Sequence, residues 1–236
     1  MDFDQYKDEY RAHVRKSLAI APAADSDLIL QVKANHFISL LGNAKEARVL
    51  DVGCGIGLMD RFWTDRVRAL CGIDVSEESL AAAAKTNPGV EYKHYDGKIF
   101  PYEDATFDAA VAVCVMHHVP PALWRDFLSE MKRVTRTGGL VAVFEHNPYN
   151  PLTRAVVSRC EFDRDAVLLR PSTLKKMGRD AGLEVVDSRS LLYFPWRGSI
   201  FRRIESLLGW LPLGGQYCCA FRVARDTRDK YTEEKP

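Results

Sequence analysis

Two rhythms of apolar and polar positions alternate along this chain. Short, nearly continuous apolar runs occupy 47–52, 68–74, 90–95, 107–116 and 140–145, and runs of this kind predict strands buried on both faces. Helical periodicity fills the gaps. Ser76 followed by Glu77 and Glu78 predicts a capped helix that stops before Pro88-Gly89. From Pro121 onward, Leu123, Trp124, Phe127, Leu128, Met131 and Val134 recur at three- and four-residue spacing until Gly138-Gly139. Repeated strand-then-helix units imply an α/β fold, a doubly wound and mostly parallel sheet covered by helices on both sides.

The two ends break the rhythm. Asp25 and Ser26 can cap a helix whose apolar face carries Leu28, Ile29, Val32, Phe37 and Leu40, preceded by a polar segment with Tyr6 and Tyr10. After the fifth run comes HNPYNP, read as a loop, then a helix capped at Ser172 and ended by Gly182. Two more β-like runs, 183–194 and 217–223, flank an insert over 196–216. The insert is amphipathic, with Ile200, Phe201, Ile204, Leu207, Leu208 and Leu211 on one side and Arg202, Arg203 and Glu205 on the other. Its apolar side is expected to pack on its own domain or in a homodimer, and contact of the 196–211 stretch with lipid is the alternative.

Composition narrows the classes. A chain of 236 residues with 47% hydrophobic content suffices for one α/β domain. Lys and Arg number 33 against 32 for Asp and Glu, which argues against a nucleic-acid partner. The six cysteines include no CxxC pair and no nearby histidine at ligand spacing, so reduced core thiols are expected and no metal site. The N-terminus lacks a signal-type apolar segment, and the run 109–116 is too short to span a bilayer. A cytoplasmic protein with no integral membrane segment is the expectation.

The chemistry centres on VLDVGCGIG at 49–57, a strand running into a glycine-rich turn. Such a turn presents free backbone N–H groups, and a helix is expected after it. A dinucleotide fingerprint, G-x-G-x-x-G, needs a third glycine where Leu58 stands, and no phosphate-cradling G-K-[ST] follows. The better occupant is a nucleoside with an amino-acid tail, S-adenosylmethionine. Asp74, ending the second run, can accept from both ribose hydroxyls and would repel a 2′-phosphate. At the end of the third, Asp96-Gly97 offers a carboxylate and a backbone N–H to the adenine edge.

These residues, with GIDVS at 72–76, HYDG at 94–97, FDAAVAVCVMHHV at 107–119 and RTGGLVAVFEH at 136–146, resemble the class I S-adenosylmethionine-dependent methyltransferases over about 45–146. The resemblance implies a Rossmann-like sheet of seven strands, with an N-terminal helical lid over 1–44, the donor-binding core over 45–146, and an acceptor-side loop, helix and antiparallel strand pair over 147–236. It also implies that Gly53, Gly55 and Gly57 admit the methionyl part and that Asp51 orients its amino group. Val75 would pack on adenine, and the carbonyl near Val113 would accept from the amino group. Tyr6 and Tyr10 would belong to the lid.

Methyl transfer from a sulfonium requires positioning of an acceptor lone pair and no metal. A base assists where the acceptor is a hydroxyl or a protonated amine, and histidine is the natural candidate. His117 and His118 follow the fourth strand, and Glu145 with His146 ends the fifth, all at the carboxyl edge where open α/β sheets bind ligands. His146 is the first choice for base, His118 the second, and one histidine of each pair can equally be structural. Asn147-Pro148-Tyr149 superficially matches the motif of amino-group methyltransferases that act on adenine or glutamine, but it follows the fifth strand and lacks the second proline, so a turn is expected. The expected activity is methylation of an O or N atom of a small molecule. The alternatives are a lipid-linked or glycan acceptor, or a non-catalytic donor-binding module.

Overall fold

Apolar runs without polar interruption must be covered on both faces, and the topology follows from that need. The computed structural model describes residues 26–160, 163–194 and 198–224. Seven strands form one sheet: β1 (Arg48–Val52), β2 (Ala69–Asp74), β3 (Glu91–His94), β4 (Phe107–Val113), β5 (Thr135–His146), β6 (Leu183–Leu191) and β7 (Gln216–Val223). Their order is β3-β2-β1-β4-β5-β7-β6; the first five run parallel, and β7 is antiparallel to both its neighbours. This is the doubly wound, mostly parallel α/β sheet with a C-terminal antiparallel pair. The order reverses between β1 and β4, which opens a crevice at their carboxyl ends.

Helices α1 (Ser26–Leu40), α2 (Glu77–Thr86), α3 (Trp124–Val134), α4 (Pro151–Val157), α5 (Pro171–Asp180) and α6 (Ser199–Leu208) surround the sheet. Alternate strand residues feed two cores. Leu50, Val52, Val141, Val143 and Phe221 join Phe127, Leu128 and Met131 of α3 and Leu174 of α5. Val49, Val111, Ala142 and Phe144 face the other way, onto Phe37 of α1 and Trp63. Tyr6, Tyr10 and most of the expected lid lie outside the described residues.

Several local expectations are corrected. No α-helix follows the glycine turn; 3-10 turns at Asp60–Phe62 and Thr64–Arg66 lead into β2. There Trp63 is fully buried against the Phe37 ring, at 5.1 Å between centroids, and Thr64 Oγ1 donates to the Asp60 carbonyl, which together favour tight turns over a helix. α3 stops at Val134, four residues before Gly138-Gly139, because Thr135 Oγ1 caps the Met131 carbonyl and the chain enters β5 through an irregular register. α5 begins at Pro171 after Arg170, with no side-chain cap, so Ser172 is its second residue. HNPYNP is only in part a loop, since Asn150 accepts from the Leu152 and Thr153 amides and Pro151 opens α4.

The insert packs on its own domain only in part, with Phe201, Leu208 and Leu211 half-buried. Glu205 is buried and accepts from the Tyr193 and Phe194 amides, while Ile200, Ile204 and Leu207 of α6, followed by Trp210, are exposed. Two orphan backbone donors claim the carboxylate and turn part of the apolar stripe outward.

α5 lies so close to β7 that a Cβ on Gly178 would sit 2.3 Å from Phe221 Cε1. Gly178→Ala is expected to destabilise the fold, because overpacking of about 1–3 kcal/mol outweighs a helix-propensity gain of about 1 kcal/mol. Urea unfolding measures this, and equal or greater stability of the variant would show that the ring has room to move.

Candidate active site

The residues singled out for donor binding come from the ends of four consecutive strands, β1 to β4. Gly53, Gly55 and Gly57 all take positive φ in the turn after β1. A Cβ on Gly53 would clash at 2.7 Å with Val115, and one on Gly57 would meet Asn87 Nδ2 at 2.4 Å, so the chain's own packing demands these two. Beside Gly55 there is open space, and its N–H donates to Asp74 Oδ2 at 2.8 Å. Asp74 Oδ1 accepts from the Ser76 amide at 2.9 Å. A carboxylate has about four acceptor positions, so capacity for hydroxyl donors remains.

Past β3, Asp96 is exposed; backbone N–H bonds from Ile99 and Lys98 hold its carboxyl below the usual range. A Cβ on Gly97 would sit 3.6 Å from Val75 Cγ1, and the Val75 and Ile99 side chains are 43% and 68% exposed. Ile99 was not anticipated. Val113 ends β4, and the next residue, Cys114, has φ +59, a strained conformation for a side chain of this kind that turns the backbone out of the sheet at the crevice.

Beneath the turn, Asp51 and Asp60 are buried together. Asp60 Oδ2 accepts from Tyr92 Oη at 2.5 Å, and its Oδ1 is buried without a conventional donor. Burial, then the adjacent Asp60 carboxylate, then Asp74 push the Asp51 pKa well up, and Lys33 opposes them only weakly. Burial likewise raises Asp60, against hydrogen bonds from Tyr92 and Asp51. Two acids crowded at a buried point fit a cationic ligand group such as an α-amino group. Lys33, Asp60 and Tyr92 lie far apart in sequence and follow no local motif.

The histidines assemble on the neighbouring strand ends. Trp124 Nε1 donates to the Met116 and Val119 carbonyls at 2.8 and 2.9 Å and so fixes the 3-10 turn Met116–His118. His117 Nδ1 lies 2.5 Å from Glu145 Oε2, both groups fully buried, and the Val167 amide donates to the His117 carbonyl at 2.9 Å. That bond ties down the loop bearing Asp163, whose Oδ1 is 3.3 Å from His117 Nε2 and 3.5 Å from His118 Nε2. The His146 ring is centred 5.0 Å from that of His117.

Burial alone would lower the His117 pKa, but Glu145 and Asp163 outweigh it and hold the ring protonated. His118 and His146 go the other way, each lowered to about 4 by burial and then by the His117 charge. Both are neutral at pH 7 and able to accept a hydrogen bond. His146 Nδ1 is 3.4 Å from Gln216 Nε2, which also donates to Cys114 Sγ at 3.3 Å, while Gln216 Oε1 is buried and unpartnered. Asn147 is wholly engaged in structure, donating to the Pro212 and Gly214 carbonyls and accepting from the Tyr149 amide. This agrees with a turn.

The comparisons with known proteins identify the family. A family model described as "Methyltransferase domain" matches residues 49–139. The chain is 33% identical over 153 residues to a phosphatidylethanolamine N-methyltransferase of Cereibacter sphaeroides, covering 61% of this chain and 74% of that one. It is 30% identical over 162 residues to a ubiquinone biosynthesis O-methyltransferase of Pseudomonas paraeruginosa, covering 62% and 68%. It spans only 44% of a malonyl-[acyl-carrier protein] O-methyltransferase of Salmonella typhimurium that it also matches. Among solved structures, an S-adenosylmethionine-dependent methyltransferase from Aquifex aeolicus superposes with TM-score 0.61 at 17% identity, over 88% of this chain and 98% of that one. The chain belongs to the class I S-adenosylmethionine-dependent methyltransferases. It is a methyltransferase enzyme, and S-adenosylmethionine is the methyl donor of its family.

Asp51 carries a testable trade-off. With its folded pKa above its unfolded one, its stabilising contribution is present below about pH 3.9 and is lost as pH rises through the folded value. At neutral pH, Asp51→Asn is expected to raise stability by about 0.5–2 kcal/mol. The same change should weaken donor binding about tenfold or more, since a hydrogen bond to a charged group contributes about 1.5–3 kcal/mol. Thermal melts and calorimetric titration with S-adenosylmethionine read the two effects, and a destabilised variant with unchanged donor affinity would reject the assignment.

Proposed function

We propose that this enzyme methylates an O or N atom of a small-molecule acceptor, held between the strand ends of β4 and β5. The observation that carries the reading is the adjacency of two kinds of site. Acids at the ends of β1, β2 and the segment after β3 border the crevice, and neutral His146 and His118 lie on the next two strand ends. S-adenosylmethionine supplies an electrophilic methyl already attached to its leaving group. The chain's task is to place an acceptor lone pair in line and to receive a proton.

In this reading Asp51 holds the amino group of the donor, with the carbonyl near Val113 beside it, and Gly55 lets the backbone approach. Asp74 takes the ribose hydroxyls, Val75 the adenine face, and Asp96 with Gly97 the adenine edge. His146 accepts the hydrogen of the acceptor, and Gln216, within reach of its Nδ1, sets the ring orientation. His118 is the second candidate. His117, locked between Glu145 and Asp163, positions the others and takes no proton itself.

A lipid-like acceptor is favoured by one specific observation. Ile200, Ile204, Leu207 and Trp210 present an exposed apolar stripe, and Pro212 and Gly214 just beyond it bond Asn147, next to His146. The phosphatidylethanolamine and ubiquinone methyltransferases among the relatives act, by name, in lipid and quinone chemistry. No helix among the described residues is long and apolar enough to cross a membrane.

Incubation with methyl-labelled donor and, separately, polar metabolites and lipid extract, followed by mass spectrometry of labelled products, identifies the acceptor class. His146→Ala is expected to lower kcat about 10²–10⁴-fold, the usual contribution of a general base, while donor affinity holds. Unchanged turnover would remove His146 from the proton path.

A further inference from the structure

We propose that His117, His118 and Asp163 form a binding site for one divalent transition-metal ion of the zinc class. The three side chains offer His117 Nε2, His118 Nε2 and a carboxylate oxygen, all within 4.8 Å of one another. The separations decide between a hydrogen-bonded cluster and a coordination shell. Asp163 Oδ1 lies 3.3 Å from His117 Nε2 and 3.5 Å from His118 Nε2. Nitrogen-to-oxygen hydrogen bonds centre on about 2.9–3.0 Å, so both contacts are slack. Ligand atoms held about 2.0–2.1 Å from a tetrahedral zinc stand about 3.3–3.4 Å apart, and both contacts lie close to that edge length.

Three further features point the same way. His117 gives its other nitrogen, Nδ1, to the buried Glu145 carboxylate, the outer contact that orients a metal-bound imidazole. Glu145 and Asp163 together bring two negative charges; the His117 proton answers one of them, and a dication that displaces this proton would balance both. No lysine or arginine pairs with either acid among the described residues. The site is also accessible. The side chains of His118 and Asp163 are 23% and 11% exposed, which leaves a coordination position for water or an oxygen ligand.

The molecule contains its own contrast. His36, Asp187 and Cys218 also converge, but His36 Nε2 is 2.9 Å from Asp187 Oδ2, the length of a direct hydrogen bond. Arg189 already neutralises that carboxylate at 2.9 Å, and burial pushes the Cys218 thiol well up, away from the thiolate a metal needs. The histidine turn has the spacing of a coordination shell; the other cluster is a closed ion pair.

Metal binding is read without turnover, so the test stands apart from the donor assignment; an ion on His118 Nε2 would occupy the lone pair of the second candidate base and leave His146 as the proton acceptor. The full chain, stripped with chelator, is titrated with Zn²⁺ by calorimetry and with Co²⁺ by visible absorption. One equivalent is expected, with Kd below about 1 μM and the intense bands of four-coordinate cobalt. His118→Ala, the least buried ligand, should abolish these bands, and Glu145→Gln should weaken affinity about 10–100-fold. Retained circular dichroism and S-adenosylmethionine binding verify that each variant is folded. Absence of stoichiometric binding to the wild-type chain, or undiminished binding by both His118→Ala and Asp163→Asn, would overturn the proposal. Loss of binding only in Cys218→Ser would place the ion at the other cluster and overturn it equally.

Discussion

A fully buried glutamate at the end of a central strand governs this architecture. Glu145 has no water to solvate it, so the fold must bring a cation or donors to it. His117 does so, through its ring and, more weakly at 3.4 Å, through its backbone N–H. That single pairing sets where the chain turns after β4. The turn fixes Trp124 at the start of α3, and the His117 carbonyl in turn holds the loop of Asp163. Removing one partner of such a pair leaves an uncompensated buried charge, typically a loss of about 3–5 kcal/mol. The requirement for neutralisation thus assembles the histidine cluster at the ends of β4 and β5, while strand order brings the acids of β1 and β2 together.

The donor side stores unfavourable electrostatics of the opposite kind. Asp51 and Asp60 crowd one another, and Asp74 adds to their field, with Lys33 opposing it at Asp51. Neighbouring backbone is strained too, with Cys114 held at positive φ where β4 leaves the sheet. A site already carrying mismatched charge gains more from a cationic ligand than a relaxed one would. In the proposed reading, stability given up at this acid pair is recovered as affinity for the donor's amino group.

Much of this was legible in the sequence, for a physical reason. In a parallel sheet every strand ends at the same edge, so acids at the ends of apolar runs, Asp51, Asp74 and Asp96, are brought to one crevice by topology alone. His117, His118 and His146 were legible on the same ground. Lys33, Asp60, Tyr92, Asp163 and Gln216 were not, because each reaches the sites through turns or strand pairings that no local spacing encodes. Errors clustered where two local signals competed. Gly138-Gly139 looked like a helix stop, yet Thr135 had already capped α3. Asn150-Pro151 is a capping pair hidden inside a turn-rich string. For α6, periodicity identifies the stripe and says nothing about how much of it the core will claim; two backbone amides claim Glu205, and Ile200, Ile204 and Leu207 are left exposed while Phe201 and Leu208 are half-buried.

The placement of α6 between β6 and β7 has an evolutionary corollary. These strands close the sheet at its far margin, and only β7 touches the parallel portion, through β5. Residues can be gained, lost or exchanged in that terminal hairpin without shifting the register of β1 to β4, whose carboxyl ends border the crevice. On the proposed assignment of sites, recognition of the molecule to be modified can therefore diversify by cassette replacement while the reagent-holding half is inherited unchanged.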